Sequence, residues 1–431
     1  MVAAAPGFRA RCRQWLASPT LHRLVELALT HTATFAFPLV FAVVCGRVLG
    51  VNEYGVAAFY TSLAAFLGMV VEFGFNWYGV REVASNLKHP QQCHRVLINI
   101  TAAKLLVWAI VVVLTCAILL LLRGTHEWPL MLAWSAYMLG FAADSAWYLQ
   151  AHERTRVLLA VTTGVRLCGI LVLVLLVNKL ESTAAALWSY ALVSLGASTL
   201  LWIVLLRGGL VHRSKVQFQY VKELLRGASA IVVGNLNGSF LTNGGVALLG
   251  LSADAAVVAS ANLALRLRMA AEGAMMPLHQ LGYVRLSARA QQSLPDFLRL
   301  GRKVLVVNLF LSTLLAAGCM LVAPTVSVLV FKEELPLAVS LMVLVALSLP
   351  LHSVGVLFGV QSLVSLGREG PYALIQIGAS VVFCIALLAN TSPQSYGWAV
   401  VVSEAFVVVF AALVLSRQFK RGIKGIKGDS P

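Results

Sequence analysis

The chain has 431 residues, 59% of them hydrophobic and 12% charged, with a mean hydropathy of +0.85. No water-soluble fold can hide that much apolar surface, and the formal net charge of +16, which would suggest nucleic-acid binding in a soluble protein, here marks loops on one side of a membrane. The apolar residues fall into about twelve runs of roughly 20, the length of helix that crosses about 30 Å of hydrocarbon, and the short connectors leave no room for a soluble catalytic domain, a cofactor or a nucleic-acid partner.

A basic N-terminal stretch, 1–24, carries Arg9, Arg11, Arg13 and Arg23. The first apolar run follows at 25–44, too long for the core of a signal peptide, and is predicted to stay as a span. Further spans are predicted at 56–75, 98–122, 130–149, 157–177 and 183–206, which together make a first six-helix bundle over 25–206. A connector at 207–227 leads to a second bundle over 228–415, with spans at 228–249, 255–281, 304–326, 337–359, 372–389 and 396–415. A basic tail, 416–431, ends the chain. The expected fold is therefore an all-α integral membrane protein of twelve helices in two six-helix bundles. With the N-terminus inside, 25 Lys and Arg residues lie on the cytoplasmic side and four (Arg47, Arg123, Lys179, Lys332) on the other, which predicts cytoplasmic termini. The segment Gly79-Val80-Arg81-Glu82-Val83-Ala84 has an echo at Gly282-Tyr283-Val284-Arg285-Leu286-Ser287-Ala288, and six spans followed by six imply parallel repeats about an axis along the membrane normal. The seven cysteines show no paired or metal-ligand spacing and read as small packing residues; no metal site is expected.

Three motifs lie in the first half: Gly46-Arg47-Val48-Leu49-Gly50-Val51-Asn52-Glu53-Tyr54-Gly55; Glu72-Phe73-Gly74-Phe75-Asn76 leading into Gly79 to Ala84; and Asp144-Ser145-Ala146-Trp147-Tyr148-Leu149-Gln150-Ala151-His152-Glu153-Arg154. Over about residues 25–170 the chain resembles the Wzx-type oligosaccharide flippases of the MOP superfamily, with Ala151 in place of that family's usual glycine. The resemblance implies a flippase of the bacterial inner membrane for surface polysaccharide (O-antigen) synthesis. It would move an undecaprenyl-pyrophosphate-linked glycan by alternating access between the bundles and work beside a polysaccharide polymerase and a chain-length regulator. Gly46, Gly50 and Gly55 also have a plainer reading, as the residues that permit a tight reversal between spans one and two.

Ionised groups inside hydrocarbon cost several kcal/mol unless they face water, partners or substrate, so each is a functional candidate. Arg166 lies midway along span five, and Arg266 and Arg268 lie deep in span eight. Guanidinium groups bind pyrophosphate bidentately, which makes Arg166 and Arg266 the leading ligands for an anionic head group. Arg268, Arg47 and Lys104 complete that set. Arg268 has a competing structural reading, as the partner of Glu272 one turn later, and Lys104 is expected to snorkel to the interface from near the end of span three. Candidates for ion coupling are Glu404 above all, with Asp144, Glu72, Glu272 and His31. Asn235, Asn237 and Asn243 are candidates for sugar contacts or, equally, for hydrogen bonds between helices. Pro38, Pro277, Pro324 and Pro350 are expected to interrupt or end spans. Two other functions remain open: a multidrug exporter of the same superfamily, which the basic set disfavours, and a membrane-embedded glycan polymerase or acyltransferase, which would need a catalytic loop or an embedded histidine with a nearby carboxylate in one motif.

Overall fold

The computed structural model describes the backbone of residues 19–210, 215–290, 292–389 and 392–428, and side chains from Phe37 to Gln418 apart from 211–214, 227–235, 291 and 390–391. No strand occurs among the described residues. Helix α1 (Pro19–Glu72) carries two spans in one element, broken only at Gly50, where φ is 82°. The break is a reversal: the rings of Phe41 and Tyr54 lie 6.5 Å apart, whereas an unbroken helix would separate those positions by about 20 Å. Glycine is needed there because an L side chain is strained at positive φ. A left-handed Gly74 then starts the short helix α2 (Phe75–Ser85).

The first half continues with α3 (Pro90–Arg123) and α4 (Trp128–Ala143). Helix α4 stops where Asp144 turns extended, and the Asp144 carboxylate accepts the N–H of Ala146 at 3.3 Å to begin α5 (Ala146–Ala151). Helices α6 (Thr155–Leu180) and α7 (Thr183–Arg207) complete this bundle. In the second half, α8 (Phe218–Ser239) passes through a π turn (Phe240–Gly244) into α9 (Gly245–Leu249). Then come α10 (Ala255–Ala290), α11 (Leu294–Phe331), α12 (Pro336–Phe358) with a π turn at Gly359–Val364, α13 (Glu369–Ala389) and α14 (Ser395–Gly428).

This is the all-helical, two-bundle architecture expected, with about twelve crossings. Eight helical segments among the described residues are long and apolar enough to span by themselves, and one of them, Phe37–Ser85, contains the end of span one and all of span two. Span four falls short because α4 has only 16 residues, and span eight because Arg266, Arg268 and Glu272 dilute α10. Pro38, Pro277, Pro324 and Pro350 all lie inside helices, and none of these helices ends at its proline. The connector 207–227 is helical from Phe218 onward, and there it packs on the first bundle: Val221 and Leu224 are buried with Leu97 and Trp147, and the Arg95 guanidinium sits 4.7 Å from the Tyr220 ring.

The halves meet most closely at the Gly50 end of the molecule. A Cβ on Gly46 would clash with Val330, and one on Gly55 would sit 1.9 Å from the Ala255 carbonyl oxygen. Of the three motif glycines, then, only Gly50 makes the reversal; Gly46 and Gly55 instead let the two bundles touch backbone to backbone. Polar contacts cross the same seam. Tyr54 donates to Asn262 Oδ1 at 2.9 Å, and Asn262 Nδ2 donates to Ser62 Oγ at 3.0 Å. Arg123, at the end of α3, donates to the Gly250 carbonyl and covers the Phe59 ring at 4.1 Å.

Candidate functional site

Two cavities open in the half of the molecule away from Gly50, one in each bundle. Glu72, on the wall of the first, ends the helix that leaves Gly50, and Tyr283 and Gln361, on the wall of the second, lie far along segments that start at Ala255 and Pro336.

The first cavity, about 410 Å³, brings together Arg166, Glu72, Asp144, Tyr137 and Tyr190. Arg266 belongs to the second half and is not among the residues that line this cavity. Arg266 Nε is 3.4 Å from Asn262 Oδ1, which ties it to the seam. Lys104 departs from expectation. It is wholly buried, and its ammonium donates to Asn76 Oδ1 at 2.8 Å and to the Asp144 carbonyl at 3.2 Å. It does not snorkel because α3 starts at Pro90, eight residues before the predicted span, so Lys104 sits several turns deep. Its donors are spent on the protein rather than on a head group.

The second cavity is larger, about 700 Å³. On its wall four side chains form a closed ring of alternating charge. Arg268 donates to Glu272 and to Glu404, each at 2.5 Å, and His352 Nδ1 lies 3.0 Å from Glu404 while its Nε2 lies 3.8 Å from Glu272. Arg268 is therefore held by two carboxylates and is no head-group ligand in this arrangement. Asn237 faces the cavity, accepting from Ser380 Oγ at 2.6 Å and approaching Gln376 at 3.5 Å. Asn243 lines neither cavity, and its buried Oδ1 has no partner among the described residues. Arg47 is exposed at the Gly50 end, remote from both cavities. The side chains of Asn235 and His31 lie outside the described residues. His352, Gln361 and Gln376 are missed by the sequence reading. His352 stands in an apolar run two residues after Pro350, and the rule that selects Arg166 would have selected it. No cluster suited to a metal ion occurs among the described residues.

Residues 24–283 match the family model described as polysaccharide biosynthesis protein. Two bacterial relatives are both named "Putative O-antigen transporter". One, from Shigella dysenteriae, is 23% identical over 401 residues, covering 92% of this chain and 99% of its own. The other, from Escherichia coli K12, is 21% identical over 267 residues, covering 62% and 64%. Among solved structures, an inward-facing multidrug resistance MATE transporter of the MOP superfamily superposes with a TM-score of 0.70 at 14% identity, covering 94% of this chain and 99% of the other. The lipid II flippase MurJ in an inward closed conformation gives 0.68 at 12%, covering 91% and 87%. At such identities the structures establish the fold alone.

Proposed function

The chain belongs to the polysaccharide biosynthesis protein family, and we propose that within it this transporter is the flippase that carries an undecaprenyl-pyrophosphate-linked oligosaccharide from the cytoplasmic to the outer leaflet of the bacterial inner membrane. The observation that carries the reading is Arg166 on the wall of the first cavity, with Arg266 of the other bundle beside Asn262 at the seam. Two guanidinium groups across a cleft suit a diphosphate, which each can grip bidentately, while the polyprenyl chain stays in lipid at the edge between bundles. In this reading the Gly50 end faces outward, both termini are cytoplasmic, and the two cavities open to the cytoplasm. The close seam at the Gly50 end makes this conformation the inward-facing member of an alternating-access pair. Residues 25–206 and 228–415 move as the two bundles about the connector. The carboxylates Glu72 and Asp144 on the first cavity, and Glu272 and Glu404 beside Arg268, supply groups for coupling to an ion gradient. The basic charge at the cleft favours an anionic lipid over the cationic drugs of a multidrug exporter.

The test is loss of the protein in its host. A lipid-linked glycan is expected to accumulate on the cytoplasmic leaflet, with rescue by wild type and none by Arg166→Ala with Arg266→Ala. Normal surface polysaccharide together with altered drug sensitivity would overturn the proposal.

A further inference from the structure

The second cavity raises a separate question, because the diphosphate reading uses only the first. The second is the larger of the two, within the range of small-molecule sites, and its wall carries amides, carboxylates, two imidazoles and phenols deep in a protein otherwise lined with hydrocarbon. Four observations indicate that this polarity serves a ligand. Gln361 is fully buried; its Nε2 donates to the His279 carbonyl at 2.7 Å, yet its Oε1 has no partner among the described residues. A buried amide oxygen left without a donor costs about 1–3 kcal/mol unless something in the cavity supplies one. Both π turns of the described chain border this cavity, one presenting Leu241 and Thr242 and the other Val360 and Gln361; π turns interrupt the helical hydrogen-bond ladder at a cost and recur at functional sites. Two glycines make room for lining side chains: a Cβ on Gly282 would lie 2.8 Å from Gln361 Nε2, and one on Gly359 would lie 2.3 Å from the Tyr372 ring. Finally, Gln376 Nε2 donates to the Tyr372 hydroxyl at 2.6 Å, which fixes an amide at the edge of an aromatic ring that also lines the cavity.

We infer that the cavity between α8, α10, α12, α13 and α14 is a pocket for an uncharged sugar, whose hydroxyls are met by Gln361, Gln376 and Asn237 and whose ring lies on Tyr372. Fixed amides next to an aromatic ring suit a ligand with many hydroxyls on one side and C–H groups on the other. The charge ring selects among sugars. Two carboxylates against one guanidinium and one imidazole leave the ring neutral with His352 protonated and net negative with it neutral, so a uronic acid would find no unpaired cation there. The inference rests on the flippase reading for the source of its sugar and adds a division of labour: the diphosphate at Arg166 and Arg266, the glycan in the second bundle.

The experiment uses the purified full chain in detergent and three soluble probes: farnesyl pyrophosphate, the same diphosphate bearing N-acetylglucosamine, and the same bearing glucuronate. Wild type is expected to bind the N-acetylglucosamine probe about five- to tenfold more tightly than bare farnesyl pyrophosphate, the factor that one or two good hydrogen bonds contribute, and to gain nothing from glucuronate. Gln376→Leu and, separately, Gln361→Met are expected to remove that gain while binding of bare farnesyl pyrophosphate stays within about twofold, which also shows that each variant folds. Arg166→Ala is expected to weaken all three probes. Equal affinity of wild type for bare and glycosylated probes overturns the sugar pocket and leaves the diphosphate reading standing. A sugar gain that depends on Gln376, with Arg166→Ala inert, overturns the diphosphate reading and leaves the pocket. No binding of any probe overturns both.

Discussion

Replacing Asn262 with alanine tests whether the seam at the Gly50 end sets the balance between conformations. Asn262 is 2% exposed and serves both halves at once, accepting from Tyr54 and donating to Ser62, with Arg266 Nε alongside. The substitution strands the hydroxyl of Tyr54, which is itself fully buried, and such a group costs about 1–3 kcal/mol. The penalty falls on the conformation in which the seam is closed, because on opening both groups reach water. The open-to-closed ratio should therefore rise about 5- to 150-fold, which takes an open population of about 1% to between about 5% and 60%. Spin labels on Arg47→Cys and Leu251→Cys, two exposed positions at this end on opposite halves, report the separation by pulsed electron resonance in a background with the native cysteines replaced. A second, longer distance should gain weight in the Asn262→Ala protein. Identical distance distributions with and without the substitution would refute the reasoning, since the hydrogen-bonded chain would then contribute equally to both states.

Two other outcomes follow from the same geometry. Gly55→Ala should lower the melting temperature well beyond Gly50→Ala: the first forces a methyl into the Ala255 backbone, whereas the second meets open space and costs only the roughly 1–3 kcal/mol of a positive-φ backbone that favours glycine, so equal drops would contradict the assigned roles. Lys104→Met should destabilise the protein by about 1–3 kcal/mol in denaturant titrations, because it leaves Asn76 Oδ1 and the Asp144 carbonyl without their buried donor; an unchanged stability would restore the snorkelling reading.

The spans were legible because hydrocarbon imposes one period and one length on every crossing, and Gly50 because a reversal between two apolar runs needs positive φ. Long-range packing left weaker traces. Gly46 and Gly55 look like turn residues in sequence, and only the approach of Val330 and Ala255, some 200 or more positions away, gives them their second role. Lys104 was misplaced because hydropathy locates the membrane portion of a helix and not its start: the polar turn from Pro90 to Arg95 is helical as well. The ring of Arg268, Glu272, His352 and Glu404 draws on three helices, so the i to i+4 spacing exposed only the Arg268–Glu272 side. Gln361 and Gln376, uncharged and spread over two segments, carried no pattern to find.

The glycine-lined seam has an electrical consequence. A pathway wide enough for a sugar chain would, if open at both faces even briefly, short-circuit the gradients that the membrane stores. Side chains swing aside singly on fast timescales, and a gate built of them leaks. At the Gly50 end the barrier includes Gly55 against the Ala255 backbone and Gly250 against the buried Phe59 ring, contacts that no single side-chain swing on Gly55 or Gly250 can open. A barrier of that kind parts only when whole helices separate, so ions find no shortcut through the faster fluctuations.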